Sequence, residues 1–265
     1  MFTIMKQEIA AIDALVIGDI RRLPRIIVPV FAFALLGASN AFAEDRRETL
    51  EADPSKYQWK LESTDDNCKS YSSDVAGKPF IAAKVICDMP ARIEVISTIL
   101  RDINNYPMWM SGCKATKMLK VEDEANDTFV FWWHHHIPIL QDRDTVLHVT
   151  TTANLARGFE LIDVYSTEEI KFDSGEDLAR MTSAFTPFKL EWIDREHTRV
   201  SWLLDLNVGP GVPPPVANAI IKRIPYKSMV GLAKMATEKK YLEGAKSTRY
   251  AKLVDDAIKQ GYVKE

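Results

Sequence analysis

The stretch DTFVFWWHHHIPILQDRDTVLHVTTTAN, residues 127–154, has the pattern of two strands joined by a turn. In the first strand Phe129, Phe131 and Trp133 fall on one face, because successive side chains of a strand alternate. Val130 and Trp132 fall on the other face. A strand with bulky side chains on both faces is buried on both, or lines a cavity with one of them. The segment therefore predicts a sheet that forms the centre of the fold.

The same period-two pattern extends over residues 113–208. Short turn-like segments, such as residues 156–158 and 173–175, separate the strands. Consecutive strands with short connections form an antiparallel meander. The predicted strands are CKATKMLKVE, DTFVFWWHHHI, DTVLHVTTTAN, FELIDVYSTEEI, ARMTSAFTPFKLEWID and TRVSWLLDLNV.

A helix is predicted ahead of the meander, in residues 90–107. Ile93, Ile96, Leu100 and Ile103 recur at three- and four-residue spacing, and Pro90 suits the first helical position. Three short strands come before it, YQWKLEST, CKSYSSDV and FIAAKVICDM. The chain thus begins its folded part with strands and one helix.

A long amphipathic helix is predicted after the meander, in residues 213–244, and Pro225 should kink it or split it in two. The residues beyond it suggest a polar tail or a last short helix. A meander whose apolar face is covered by a C-terminal helix is an α+β arrangement. A strongly curved sheet of this kind often keeps a cavity beneath the helix.

The first 43 residues have the pattern of a secretory signal peptide. Arg21, Arg22 and Arg25 precede the apolar run IIVPVFAFALLGAS, and Ala41 and Ala43 form a small-x-small exit. We therefore expect export to the periplasm or cell envelope, with an uncleaved N-terminal anchor as the alternative. The predicted organisation is an N-terminal extension with signal peptide at residues 1–43, one domain at 44–243 and a polar tail at 244–265.

Composition narrows the function classes. The chain has 265 residues, 46% of them hydrophobic, and a formal net charge of -3. These values indicate a globular protein with a sizeable core. Basic residues are scattered, so nucleic acid is not an expected partner.

The three cysteines are compatible with one disulfide. Cys68, Cys87 and Cys113 contain no CxxC pair, and their odd number leaves at least one thiol unpaired within the chain. Export makes a disulfide permissible. The expected pairing is Cys68 with Cys113, with Cys87 as a core residue of its strand.

Four patches, in order along residues 57–241, resemble the StAR-related lipid-transfer (START) domains. They are ILRDINNYPMWMSGC, IPILQDRDTV, the pair RM at 180–181, and DLNVGPGVPPPVAN ahead of the terminal helix. The residues that match motif positions, and are expected to act structurally, are Arg143, Asp144, Arg180, Asp205, Pro213 and Asn218.

The resemblance implies a helix-grip fold, in which a curved antiparallel sheet and the long C-terminal helix enclose a tunnel for one lipid or sterol. It implies binding and transfer by a monomer without cofactor or metal, with transient membrane contact. One departure is Val149, which stands where sterol-binding members place an arginine. The residues expected to contact the ligand are Trp109, Phe131, Trp133, Leu147, Val149, Val200, Trp202, Leu204, Ile220 and Ile224. The terminal helix and the loop at residues 209–211 are the expected door.

The three histidines suggest a metal site at first sight. On a strand His134 and His136 share one face and His135 takes the other. A zinc site needs three or four ligands, and only Asp142, Asp144 and His148 are further candidates. A polar strand end whose histidines meet water or carboxylates is the favoured interpretation.

The sequence DRD at residues 142–144 permits a general acid–base function or a structural one. We expect Arg143 to brace the loop through bidentate contacts with carboxylates. Three functions stay open at this point. They are a lipid-binding or transfer protein, an enzyme of cyclase or hydrolase type that uses residues 134–144, and a lipid-sensing domain of the envelope.

Overall fold

The computed structural model describes residues 50–65, 67–138, 140–181 and 183–264. The predicted signal peptide lies outside these residues. The described residues fall within one compact unit that begins at residue 47. No helix among them is long and apolar enough to cross a bilayer.

Within the described residues eleven strands form one sheet, as the alternating patterns predict. Its order is β1-β2-β3-β11-β10-β7-β6-β5-β4, with β8 and β9 beside this path. The strands are β1 Lys60–Thr64, β2 Cys68–Ser73, β3 Ala82–Met89, β4 Cys113–Asp123, β5 Thr128–His135, β6 Arg143–Asn154, β7 Phe159–Ser166, β8 Ala179–Arg180, β9 Ser183–Phe185, β10 Phe188–Trp192 and β11 Thr198–Asn207.

The sheet joins a meander to the first three strands through its last strand. β4 to β7 pair in sequence order, whereas β11 lies between β3 and β10. All these pairs are antiparallel, and β8 alone among the described strands pairs in parallel, with β6. β11 therefore ties the beginning of the domain to its end.

Six α-helices of the described residues cover the inner face and one end of the sheet. They are α1 Ile93–Arg101, α2 Tyr106–Trp109, α3 Pro214–Ile221, α4 Ile224–Met235, α5 Lys239–Gly244 and α6 Arg249–Lys259. The predicted long C-terminal helix is split as expected, because α4 begins just before Pro225. α6 is a true helix whose Val254 is fully buried, so the packed unit extends beyond residue 243.

Two predicted elements differ from the structure. Helix α1 begins at Ile93, and Pro90 lies before it in the turn that leaves β3. The long strand predicted for residues 179–194 is broken into β8, β9 and β10, which have different partners. Pro187 lies between β9 and β10 and has no N–H for a continuous ladder.

The disulfide predicted between Cys68 and Cys113 is wrong. Cys68 is bonded to Cys87, its direct cross-strand partner in the β2–β3 ladder. Cys113 is a buried free thiol at the start of β4, which lies at the far end of the strand order. Adjacent strands bring Cys68 and Cys87 together, which sequence spacing alone does not reveal.

Candidate functional site

The inner face of the sheet forms an aromatic and aliphatic wall. Phe129, Phe131 and Trp133 of β5 belong to the main core, whereas Val130 and Trp132 lie in a separate cluster on the outer face. Cross-strand pairing places Phe131 opposite Leu147 and Phe129 opposite Val149. The predicted alternation in residues 129–133 is thus confirmed, and one face of β5 packs in the main core while the other packs in the outer cluster.

Three small cavities lie between this wall and the helices. They leave about 10, 20 and 10 Å³ for the centre of a water molecule, which is room for roughly one water each. Aromatic rings fill most of the interior, including the stacked pair Phe188 and Trp202 with centroids 4.9 Å apart. The tunnel expected from the resemblance is therefore closed, and a ligand has to displace side chains to enter.

Most residues expected to contact the ligand lie along these cavities. Phe131, Trp133, Leu147 and Trp202 line the central cavity. Val149 lines the cavity near α6, and Ile220 and Ile224 line the cavity beneath α3 and α4, which we call the gate cavity. Trp109, Val200 and Leu204 are buried in the same core beside the cavities.

Several cavity residues escaped the sequence analysis. Tyr106 and Phe188 each line two cavities, and Met110 lines the central one. Tyr106 begins the four-residue helix α2 and Met110 follows it, and this segment is too short to show a periodic signal. The alternation along β10 does place Phe188 and Leu190 on one face, so the sequence pattern could have predicted Phe188.

Arg143 is a buried brace, but the predicted carboxylate contacts are wrong. Its guanidinium donates to three backbone carbonyls, Nε to Val208 at 2.9 Å, Nη1 to Gln141 at 2.7 Å and Nη2 to Pro210 at 2.8 Å. These bonds tie the end of β11 and the loop before α3 to β6. Two of the three acceptors belong to the loop at residues 208–210, which is far from Arg143 in the sequence and lies beside it only in the folded chain.

Asp144 makes the bidentate pair that was expected of its neighbour. Its carboxylate accepts hydrogen bonds from Arg180 at 2.8 and 2.9 Å, and from Trp132 Nε1 at 2.7 Å. The carboxylate is buried and lies on the outer face of β6, whereas Arg143 faces inward. The two adjacent motif residues thus hold different parts of the fold.

The remaining motif residues anchor both ends of the domain. Asp205 accepts hydrogen bonds from Lys56 and Lys78, each at 2.7 Å, and from the Tyr57 hydroxyl at 2.9 Å. Burial opposes ionisation, but these bonds and charges keep the pKa of Asp205 below its usual range. Pro213 precedes the first turn of α3, and Asn218 Oδ1 accepts from the Ile81 N–H at 3.0 Å.

The histidine cluster is organised by one carboxylate. His134 Nε2 and His136 Nδ1 lie 2.9 and 2.8 Å from the two oxygens of Asp142. The side chains of His134 and His136 therefore share a side, as predicted. Burial opposes ionisation of Asp142, and hydrogen bonds from the two imidazoles hold its pKa well below the usual range. In the described part of the chain no three His, Cys, Asp or Glu side chains are arranged to hold a metal ion.

His135 points the other way, into the gate cavity. Gly112 packs against its ring, and a Cβ at that position would lie 2.3 Å from His135 Cε1. Gly112 also has φ of +81°, which favours glycine. His135 Nδ1 is buried without a hydrogen-bond partner. Burial lowers the pKa of His135 to about 4, so the imidazole is neutral at pH 7.

A carboxyl group is buried at the other end of the interior. Glu160 lies on the inner face of β7 with no exposed surface, and its Oε2 is 2.7 Å from Ser97 Oγ of α1. Ser97 Oγ is also 2.9 Å from the Ile93 carbonyl, and a hydroxyl has only one proton to donate. Burial raises the pKa of Glu160 to about 7, so a protonated carboxyl can serve as the donor to Ser97.

Helix α4 is held against the turn after α2 by two close contacts. A Cβ on Gly231 would lie 2.3 Å from the Trp109 carbonyl oxygen, so only glycine permits this approach. The N–H of Ser111 donates to Ser228 Oγ at 3.0 Å. We call these two contacts the α4 latch, because they close the helix over the interior.

A wider recess lies elsewhere. It has a volume of about 590 Å³ and lies on the outer side of β6, where Ile170, Phe172 and Arg180 border it. It is open to solvent and shares no wall with the central cavity. The closed interior, which the alternation of β5 and β6 builds, is the candidate ligand site, because it is the apolar space between the sheet and the helices.

Comparison with known proteins agrees with this architecture. No protein-family model matches the sequence. An uncharacterized protein of Pseudomonas aeruginosa is 28% identical over 219 residues, which are 80% of this chain and 96% of the relative.

Two solved structures share the fold. The STAR-related lipid transfer protein of Xanthomonas axonopodis has a TM-score of 0.61 at 21% identity, over 68% of this chain and 99% of that chain. Human STARD10 has a TM-score of 0.62 at 18% identity, over 80% and 82% of the two chains. The chain therefore has the START, or helix-grip, fold, as the sequence predicted.

Proposed function

We propose that this protein binds one lipid or other hydrophobic ligand in its interior and carries it within the cell envelope. The observation that supports the proposal is the apolar interior of a START fold, lined by Phe131, Trp133, Leu147 and Trp202. The sheet is rigidly paired, so the wall on that side is preformed. Ligand binding, rather than catalysis, is what such a wall provides.

The energetics are sufficient for a small lipid. Burying roughly 300 Å² of apolar surface contributes on the order of 7 kcal/mol before the costs of association. The closed cavities add a cost, because side chains that now touch each other must separate. A ligand therefore replaces existing contacts, and its affinity depends on how well it restores them.

Helix α4 with α3 is the proposed door. The α4 latch, apolar contacts and a hydrogen bond from the Tyr226 hydroxyl to Asp65 fix α4 over the interior, whereas the opposite wall is a hydrogen-bonded sheet. Arg143 holds the loop at residues 208–210, which leads into α3. Opening thus has a hinge at a braced loop and a release point at the latch.

The same helix supports transient contact with a membrane. Val230 of α4 is 55% exposed, and Met108 of α2 is 71% exposed. They are chain neighbours of Gly231 and Trp109, so they flank the latch. Lys227 and Lys234 are exposed on the same helix, at spacing that places them with Val230 in one stripe. An apolar and basic stripe suits an anionic lipid surface.

Location in the envelope is supported by two features. The N-terminal 43 residues have the signal-peptide pattern. The Cys68–Cys87 disulfide suits an oxidising compartment. Both features favour export, and transfer of lipid between envelope membranes is the corresponding role.

Transfer of a fluorescent phospholipid or fatty acid between donor and acceptor vesicles tests the proposal. The latch offers a lock, because Ser111 and Ser228 are adjacent and their Cα atoms are at most roughly 7 Å apart by bond lengths. We expect the oxidised double variant Ser111→Cys/Ser228→Cys, made in a Cys113→Ala background, to slow transfer strongly. Each single variant under the same conditions is the control.

The outcomes separate the competing functions. Transfer or stable binding of any lipid by the unlocked protein supports the proposal, and the absence of both refutes it. Turnover of a co-purified small molecule that disappears in Asp142→Asn would instead support an enzyme of the same fold. Unchanged transfer by the locked variant would refute the door while leaving lipid binding in place.

A further inference from the structure

The gate cavity contains one polar pair in an otherwise apolar lining. His135 and Arg143 are direct cross-strand partners at the ends of β5 and β6. Both side chains face inward, and the residues are only 5% and 2% exposed. The other side chains that border the cavity are apolar, among them Ile137, Val212 and Ile220.

The charge of Arg143 has no close counter-ion. Its three hydrogen-bond acceptors are backbone carbonyls, and no carboxylate of the described residues forms an ion pair with it. The adjacent Asp142 is engaged by His134 and His136. Asp144 faces the other side of the sheet and pairs with Arg180. A buried cation is usually paired, so this one is unusual.

Hydrogen-bonding capacity is left over at the same point. A guanidinium has five N–H groups, and the three carbonyls use three of them. His135 adds a ring nitrogen, Nδ1, that is buried without a partner. A neutral imidazole offers one donor and one acceptor. The pair therefore provides unused donors beside a positive charge that no carboxylate of the described residues contacts directly, although the charge of Asp142 acts on it from farther away.

We propose that the gate cavity takes the ionised carboxylate of a long-chain amphiphile, paired with Arg143 and hydrogen-bonded to His135. This inference rests on the proposed function and specifies its ligand class. The acyl chain runs from this cavity into the central one, past Trp133 and Phe131, by displacing the apolar side chains that now fill the path.

A carboxylate fits better than the other common lipid heads. One negative charge matches the single cation, and its two oxygens match a guanidinium edge. A phosphodiester head carries a second substituent, so it must displace more of the side chains around this closed cavity than a carboxylate does. A neutral alcohol leaves the charge of Arg143 unpaired.

Binding of three probes to the full chain tests the inference. The probes are hexadecanoic acid, hexadecan-1-ol and vesicles of phosphatidylglycerol, measured by displacement of a fluorescent fatty-acid analogue or by calorimetry. We expect the acid to bind at least about tenfold more tightly than the alcohol at pH 8. Equal affinities for acid and alcohol would overturn the carboxylate site while supporting a lipid-binding function. Tighter extraction of phosphatidylglycerol would also overturn it, and binding of none of the three would overturn the proposed function itself.

Variants and a direct titration complete the test. Arg143→Met should equalise acid and alcohol, and His135→Phe should reduce the preference for acid without affecting the alcohol. Because Arg143 also braces the loop, its loss risks misfolding, so the wild-type complex is measured as well. The ¹³C shift of bound [1-¹³C]hexadecanoic acid reports the ionisation of its carboxyl group. We expect the pKa of the bound carboxyl group to lie below about 4, beneath the ordinary carboxyl range. A pKa of the bound carboxyl group at or above its ordinary value would refute the pairing with Arg143.

Discussion

Replacing Glu160 with glutamine should change how stability depends on pH. The carboxyl group is fully buried between β7 and α1, its Oε2 lies beside Ser97 Oγ, and its Oε1 has no partner. Burial is the main reason that its pKa rises from an ordinary 4.5 to about 7, and the nearby carboxylates of Asp127 and Glu94 act in the same direction. The folded protein therefore holds a proton that the unfolded chain releases.

The linkage between proton binding and folding gives the sign and size of the change in the free energy of unfolding with pH. Below pH 4.5 the group is protonated in both states and its contribution to stability is fully present. Between pH 4.5 and about 7 only the unfolded chain loses the proton, so the free energy of unfolding falls as pH rises. At about 1.4 kcal/mol for each pH unit, the total loss is on the order of 3 kcal/mol. Glutamine does not titrate, so this loss disappears in the variant.

Urea unfolding at several pH values between 4.5 and 8 measures the effect. We expect the stability of Glu160→Gln relative to wild type to increase by about 3 kcal/mol across this range, whatever its offset at low pH. Other titrating groups cancel in the difference. Glu191→Gln, which makes the same substitution at a partly exposed carboxylate of β10, is the matched control. Parallel stability curves for Glu160→Gln and wild type would refute the reasoning.

Three further outcomes are expected. Gly231→Ala should lower the free energy of unfolding in urea by about 1–3 kcal/mol, because the new Cβ clashes with the Trp109 carbonyl. Gly244→Ala is the control, because its Cβ contacts no other atom and the change should be neutral or stabilising. Equal effects of the two substitutions would contradict the latch. Asp144→Asn should cost about 2 kcal/mol or more, because it neutralises a buried carboxylate that pairs with Arg180, whereas Asp88→Asn, in an exposed pair with Arg199, should cost under about 1 kcal/mol. Thiol titration of the unfolded, unreduced protein should find one free cysteine, and reduction of the Cys68–Cys87 bond should cost about 3 kcal/mol for a separation of 19 residues; three free thiols before reduction would show that the bond is absent.

The sequence predicts the fold well because the elements are strongly periodic. The alternation of Phe129 with Val130, and of Leu147 with its neighbours, is a local pattern that the pleat of a strand imposes. Pro225 marks the split of the C-terminal helix because proline removes a backbone donor. The break between β9 and β10 was missed, although Pro187 was there to indicate it.

The candidate site is less accessible to sequence reasoning. The residues on regular strands, such as Phe131 and Trp202, were placed correctly in the interior because face follows from position along the strand. Tyr106 and Met110 were missed because the four-residue helix α2 and the residue after it are too short to show a periodic pattern. The partner of Cys68 was mistaken because register between two strands depends on the turn and packing between them.

The pair His135 and Arg143 shows which features the sequence determines and which depend on the tertiary structure. The sequence by itself determines that His135 faces away from His134, and that Arg143 faces away from Asp144, because side chains alternate on any strand. Only the tertiary structure decides that these two inward residues are opposite each other, that backbone carbonyls satisfy the arginine in place of carboxylates, and that α3 closes an apolar cavity over both. Local geometry depends on neighbouring residues, whereas burial and pairing of a charge depend on segments far apart in the chain. For this reason the strands and helices were predictable from local patterns and the helix-grip fold from the resemblance to START domains, whereas the buried charge without an ion-pair partner in the interior was not predictable.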